Sequence, residues 1–357
     1  MAKSEIEIKN LTGIDALDAM LEKLSKDFGT DMSGSNYGDM SFSPTGSARL
    51  DAALSRGGWP LGRVIEIIGD PGSLKTSLAL TALAKRQAYR KANNINKRDL
   101  IIDLERALEA SFIERFGIDL SLIIWMRPDT IEEALQACID LPKSGFIDFV
   151  IFDSVDAGQN EKQLRKKMGE ADVGGTSKDM NAAMRQIVKI AMEHQTTYFF
   201  INQIKLNPGQ MFGSPETTPG GRALSYYASL RIKLLPRQEH KEVPGAALMR
   251  LRVTKTRLGP PLEEDVELAF LYARGFDEAY DIESLAKELE LLAHSAGQTK
   301  VQWTSGSDPV PLLPDIEKGK AAGQAALRTN PLLLERLRHA CLRAQGVPTA
   351  RPDTDFI

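Results

Sequence analysis

Apolar residues recur at Ile14, Leu17, Met20, Leu21 and Leu24, three and four positions apart, which predicts an amphipathic helix that stops before Phe28-Gly29. Residues 30–46 are rich in Gly, Ser and Asp and read as a linker, so this helix is expected to seek a partner surface outside its own core. From Arg63 the rhythm changes. Short apolar runs at 64–68, 100–102, 149–152 and 198–201 alternate with helix-length segments at 77–92, 131–141 and 180–193. Strands that are apolar on both faces and separated by helices predict an α/β fold with a mainly parallel sheet covered on each side. Runs at 230–235, 249–254 and 266–272 follow one another without long helices and predict an antiparallel extension. The expected organisation is a helix and linker at 1–44, a core at 45–276, a small α+β unit at 277–345 with helices near 282–293 and 332–344, and a frayed tail at 346–357.

Composition narrows the class. A chain of 357 residues with 42% hydrophobic and 26% charged side chains is not disordered throughout. Its apolar runs are far shorter than the roughly 20 residues of a membrane span, and residues 1–9 lack the apolar block of a signal peptide, so no membrane partner and a cytoplasmic location are expected. Cys138 and Cys341 lie far apart beside apolar neighbours and read as buried thiols, with no metal or redox chemistry implied. The net charge of −3 hides an asymmetry: residues 205–257 hold ten basic and three acidic side chains, and residues 261–292 hold ten acidic and two basic ones. Either a polyanion-binding face, subunits that stack positive on negative, or scattered surface charge fits that pattern.

The chemistry begins where the first core strand runs into Gly69-Asp70-Pro71-Gly72-Ser73-Leu74-Lys75-Thr76-Ser77 and then a helix. This is the context of a P-loop: backbone N–H groups ring the terminal phosphates, Lys75 neutralises them, and the Thr76 hydroxyl ligates Mg2+. Leu74 stands where the second glycine is usual, so the motif alone leaves open a plain strand-turn-helix with a chance lysine. The other strand ends decide. Four apolar residues precede Asp153, the pattern of a carboxylate that holds Mg2+ beside a P-loop, although a strand-end cap is also open for it in isolation. Glu105 follows another strand at the same sheet edge and is the candidate for polarising an attacking water. Asn202-Gln203 ends a fourth strand, an amide pair suited either to sensing a γ-phosphate or to capping a loop.

Residues 50–63 (LDAALSRGGWPLGR), 102–109 (IDLERALE), 149–154 (FVIFDS), 200–205 (FINQIK) and 211–221 (MFGSPETTPGG) together resemble the RecA family of recombinases, over roughly residues 45–272 and more weakly over 323–343. The last of these runs is the specific one. The resemblance implies a RecA-type P-loop ATPase core that hydrolyses ATP with Mg2+, forms a helical homo-oligomeric filament on single-stranded DNA, and exchanges strands with homologous duplex DNA. By matching position it implies that residues 69–77 bind nucleotide, Thr76 and Asp153 hold the metal, Glu105 is the catalytic carboxylate, and Gln203 links the γ-phosphate to the loop at 205–223. Lys255 and Arg257 match a basic pair that reaches the neighbouring subunit's ATP, and the helix at 14–24 is expected to pack on an adjacent core.

The candidate DNA loops agree with this reading. One, at 168–178, is Gly-rich, ends at Lys178 and has Arg185 beyond it; the other carries Lys205, Met211, Phe212 and Arg222 among glycines. Mobile amides with a few cations follow a phosphate chain, and apolar tips wedge between unstacked bases. Departures from the family pattern are Leu74, Asp70-Pro71 where Pro then Glu is usual, Arg106 for a common His, Ser225 for a Lys, and a short tail with few acids. Two rivals remain: a ring-forming ATPase or helicase of the same fold, and a DNA-coating protein that binds ATP and scarcely hydrolyses it.

Overall fold

The computed structural model describes residues 14–28, 40–54, 56–158, 175–206, 216–241, 243, 245–259, 264–272, 274–295, 298–301 and 327–347. The chain divides into two compact units, residues 1–41 and residues 42–357. In the first, α1 (Ile14–Phe28) leaves Ile14, Leu17 and Met20 of its apolar stripe exposed. Most of the expected linker, residues 30–39, lies outside the described residues, as do 348–357 of the expected tail.

Among the described residues, the second unit is built on a ten-stranded sheet, one strand of which, Gln238–Glu239, pairs off the main order with residues 247–248. Its parallel part comprises β1 (Val64–Gly69), β2 (Arg98–Asp103), β3 (Ile123–Met126), β4 (Ile147–Asp153), β5 (Thr197–Gln203) and β6 (Leu230–Leu234), in the spatial order β6-β1-β5-β4-β2-β3. Beyond β6, the strands β7 (Ala246–Thr256), β8 (Val266–Leu271) and β9 (Gly275–Phe276) continue antiparallel. Both halves match the expected sheet. Register pairs Gly69 with Gln203 and Asp103 with Asp153, so these residues finish at one edge, where open α/β sheets hold their ligands.

Helices α2 (Ala48–Ala53), α3 (Lys75–Ala92), α4 (Ala110–Glu114), α5 (Ile131–Asp140), α6 (Gly175–His194), α7 (Arg222–Tyr227), α8 (Glu278–Glu288) and α9 (Pro331–Ala344) surround the sheet. On one face Val64, Ile102, Phe152 and Phe200 pack against Leu135 of α5, Met184 of α6 and Leu224 of α7. On the other, α3 buries Leu78 and Leu83, and Trp59 meets Phe199 edge-on at 5.2 Å. The inner end of α3 carries a buried ion cluster: Arg90 bridges Asp99 (2.5 Å) and Asp148 (3.1 Å), and Arg86 also holds Asp148 (2.6 Å).

The C-terminal helices share a core with α2, where Ala48 packs among Ile282, Leu285, Leu337 and Cys341. Polar ties reinforce it: Ser47 Oγ donates to Asp281 at 2.8 Å, and Arg338 pairs with Asp51. Both cysteines are buried free thiols.

Three boundaries differ from expectation. The helix expected at 282–293 runs instead from Glu278, where the Asp277 carboxylate caps the Tyr280 N–H, to Glu288; Glu290 then takes a left-handed turn (φ 57) and Leu292–Ser295 becomes a strand paired with Gln298–Val301. The helix expected at 180–193 begins at Gly175, which puts Lys178 in its first turn and not in a loop. The edge strand β3 was not among the expected strands, although residues 122–126 form an apolar run.

Candidate functional site

β1 delivers Gly69 to the sheet edge and α3 starts at Lys75, leaving residues 70–74 as the connecting loop. A Cβ at Gly69 would stand 2.6 Å from Ser73 Oγ and 2.8 Å from the Leu234 carbonyl oxygen, so only glycine fits. Leu74 adopts φ 72 and ψ 23, the left-handed region that glycine enters freely and a leucine enters at a cost of ~1–2 kcal/mol. The backbone path of the usual glycine is thus kept, with the branched side chain half-buried at the helix start.

Lys75 Nζ donates to the carbonyl oxygens of Gly69 (2.9 Å) and Asp70 (2.8 Å). Burial lowers its pKa, and Asp153, Glu105 and Asp70 act against that. Thr76 Oγ1 donates to Asp153 Oδ2 at 2.7 Å. Burial pushes the Asp153 carboxyl up to about 7; the Thr76 bond opposes the rise, and the nearby Glu105 and Asp103 add to it. Ser73 Oγ is buried with no partner among the described residues. An orphan hydroxyl, an ammonium at the N-terminus of an 18-residue helix, and a hydroxyl–carboxylate pair of hard oxygen donors suit a phosphate chain and its Mg2+.

Glu105 lies just beyond β2 in a loop that Asp103 secures, accepting from the N–H groups of Ala107 (3.2 Å) and Leu108 (3.3 Å) and from Arg127 Nε (3.1 Å). Glu105 Oε1 accepts from Ser154 Oγ at 2.5 Å and from Gln203 Nε2 at 3.5 Å. Three strand ends therefore meet at one carboxylate. The Asp153–Ser154 peptide bond is cis.

Beyond Gln203, Lys205–Leu206 pairs with Glu216–Thr217, and Lys205 forms an ion pair with Asp156. Met211 and Phe212 lie outside the described residues, as does the expected loop at 168–178 except for its last four residues. Lys178 and Arg185 are exposed on α6, and Arg222 is exposed at the start of α7. Ser177 and Asn181 of α6 and Arg222, Ala223, Tyr226 and Tyr227 of α7 line a cleft of about 340 Å³.

Lys255 and Arg257 stand apart from the P-loop. Lys255 pairs in register with Arg231, which pairs with Glu66, and the Arg257 N–H bonds to Ser229, whose own N–H bonds to Val64. At about 3.3 Å per residue, the pair sits about 10–17 Å up-strand of Gly69, toward the opposite end of the sheet. Lys255 Nζ donates to the carbonyl oxygens of Ser225 and Tyr226, both at 2.7 Å, and Arg257 to that of Tyr226 at 2.8 Å.

The sequence pattern did not reveal Ser154 beside Glu105, the Asp103–Arg127 brace, or the buried Glu66, which accepts from Arg231 Nε at 2.6 Å. Only the last left a sequence signal, an acid inside an otherwise apolar strand.

The family model "RecA N-terminal domain" matches residues 15–277. Among curated proteins, the chain is similar to Protein RecA of Leptospira biflexa, 36% identical over 285 residues that cover 78% of this chain and 72% of that one. It is 34% identical to Protein RecA of Bacteroides thetaiotaomicron over 331 residues (91% and 95%) and 34% identical to that of a Thermus thermophilus strain over 339 residues (93% and 94%).

Proposed function

The chain belongs to the RecA family, and from that premise we propose that it is an ATP-dependent recombinase that assembles as a helical filament on single-stranded DNA in the cytoplasm and exchanges strands with homologous duplex. Residues 69–77 bind the triphosphate, and Thr76 and Asp153 hold Mg2+. When bound, that ion neutralises charge on the phosphate oxygens. Glu105, fixed by Ser154 Oγ, orients and deprotonates the attacking water. Gln203 spans Glu105 and the segment that starts at Lys205, so the state of the phosphate site is passed to the DNA-binding residues Lys178, Arg185, Lys205, Met211, Phe212 and Arg222.

One observation carries the filament reading. Lys255 and Arg257 lie too far up-strand to serve their own P-loop, yet Arg257 is exposed and Lys255 half-exposed, open to contact from a head-to-tail neighbour. Cations supplied across such a contact stabilise charge developing on the transferred phosphoryl group, which makes turnover depend on assembly. The exposed stripe of α1 offers an apolar surface for the same kind of contact.

The test is strand exchange and DNA-stimulated phosphate release by the full chain and by Lys75→Ala, with electron microscopy of the assemblies. Helical filaments, with exchange abolished in Lys75→Ala, are the expected result. Closed rings, or equal exchange by both proteins, would overturn the reading.

A further inference from the structure

Glu66 is a fully buried carboxylate in the middle of the sheet, three residues before Gly69. Its Oε2 accepts from Arg231 Nε at 2.6 Å on β6, and its Oε1 accepts from Asn202 Nδ2 at 3.2 Å on β5. The two partners do not stop there. Asn202 Nδ2 also donates to the Pro219 carbonyl oxygen at 3.0 Å, and Arg231 donates through its terminal nitrogen to Thr218 Oγ1 at 3.2 Å. Thr218 and Pro219 are where the chain returns from the segment bracketed by Lys205–Leu206 and Glu216–Thr217. They precede Arg222 by four and three positions. One carboxylate thus gathers β1, which carries the phosphate loop, β5, which carries Gln203, and the returning end of the candidate DNA-binding segment.

Stability is a poor explanation for such a group. A carboxylate buried in a sheet between apolar neighbours loses hydration that one guanidinium does not fully replace, and an apolar residue of similar volume is often as stable or more so. What the ion pair does supply is direction: with its Nε held by Glu66, Arg231 presents a terminal nitrogen to Thr218, and Asn202, whose Nδ2 is held by Glu66, presents the same amide to Pro219. Burial raises the pKa of Glu66, and Arg231 and Asn202 oppose the rise.

We infer that Glu66 is a positioning residue for DNA coupling: through Arg231 and Asn202 it holds Thr218–Pro219 against the strands of the phosphate site, so that DNA engaged by the segment is registered there. The inference rests on the proposed recombinase reading. It concerns the route between the two sites and assigns Glu66 no contact with nucleotide or DNA.

The test uses the full-length protein and three variants, Glu66→Gln, Thr218→Val and Thr218→Ser. Affinity for a fluorescent ATP analogue is measured without DNA, and phosphate release is titrated with a single-stranded oligonucleotide. Expected are nucleotide affinities within about twofold of the parent for every variant. Glu66→Gln and Thr218→Val should need at least tenfold more oligonucleotide for half-maximal stimulation, whereas Thr218→Ser, which keeps the acceptor oxygen, should behave as the parent does. A purely structural role would lower nucleotide affinity and stimulation together and would not separate Val from Ser. Parental stimulation in both Glu66→Gln and Thr218→Val would overturn the inference while leaving the recombinase reading intact. If Glu66→Gln does not fold, the Thr218 pair decides alone. A parent whose phosphate release ignores DNA would overturn the functional reading, and this inference with it.

Discussion

Leu74 is the residue at which the site departs furthest from what its backbone prefers. A γ-branched side chain held at φ 72 stores strain that the surrounding strand and helix impose, because the loop must turn from Gly69 into Lys75 within five residues. Leu74→Gly should therefore stabilise the folded protein by up to about 1 kcal/mol, the left-handed penalty less the extra chain entropy of glycine. Urea unfolding with and without nucleotide checks this. A lower midpoint in the variant would show that the leucine contributes more packing than its backbone costs. Asp281 gives a second residue-scale expectation. Burial lifts its carboxyl from 3.8 to about 6; hydrogen bonds from Ser47 and the Arg49 N–H and the charge of Arg49 oppose the rise, and Asp51 adds to it. Between those values the native state holds a proton that the unfolded chain has released, so stability falls as pH rises from about 4 to 6 and is level above. Asp281→Asn cannot titrate, so lowering pH from 7 to 4.5 should shift the stability difference in the parent's favour. A difference independent of pH would mean that the carboxyl titrates alike in both states.

Among the elements, α3 is fastened at both ends by polar groups. Its N-terminus carries the phosphate loop, and its last two turns bury Arg86 and Arg90 against Asp99 and Asp148 at the starts of β2 and β4. Removing one member of such a cluster leaves a buried charge without its partner. Arg90→Met should cost about 3–5 kcal/mol, and adding Asp99→Asn should recover part of it; urea midpoints of the single and double variants measure both. Non-additivity near zero would show that the two residues do not share a network. The elements also show what the sequence made visible. β1, β2, β4 and β5 were legible because burial on both faces demands apolar runs, broken in β1 only by Glu66, and the strand-end residues Asp153, Glu105 and Gln203 follow from them by position. β3 was missed although residues 122–126 are themselves an apolar run, because a run that short carries no period by which to tell a half-buried edge strand from the end of a helix. The end of α8 was missed for a different reason: Leu291, Leu292 and Ala293 continue its apolar pattern, and the break comes from a left-handed Glu290, a residue type that seldom signals a stop. The Asp103 brace and the Ser154–Glu105 bond join residues that only the tertiary fold brings together.

At the scale of the whole molecule, the division of labour within one protomer implies what an assembly of them must do. The phosphate loop closes one end of the parallel strands, while Lys255 and Arg257 sit about 10–17 Å back along them, clasping the carbonyl oxygens of Ser225 and Tyr226. On the proposed filament reading, a competent site takes its loop from one copy and its cations from the next, and this can be read out by mixing two defective proteins. Lys75→Ala lacks a working loop but keeps its cations; a Lys255→Ala, Arg257→Ala double variant keeps its loop but lacks the cations. Each alone should show almost no DNA-stimulated phosphate release. In an equal, random mixture, half of the loops are intact and half of their neighbours carry cations, so about a quarter of the parental rate should return. If the pair served the loop of its own chain, every subunit in the mixture would be defective and nothing would return. The proportion recovered, followed as the mixing ratio is varied, distinguishes a site shared between copies from one completed within a single chain.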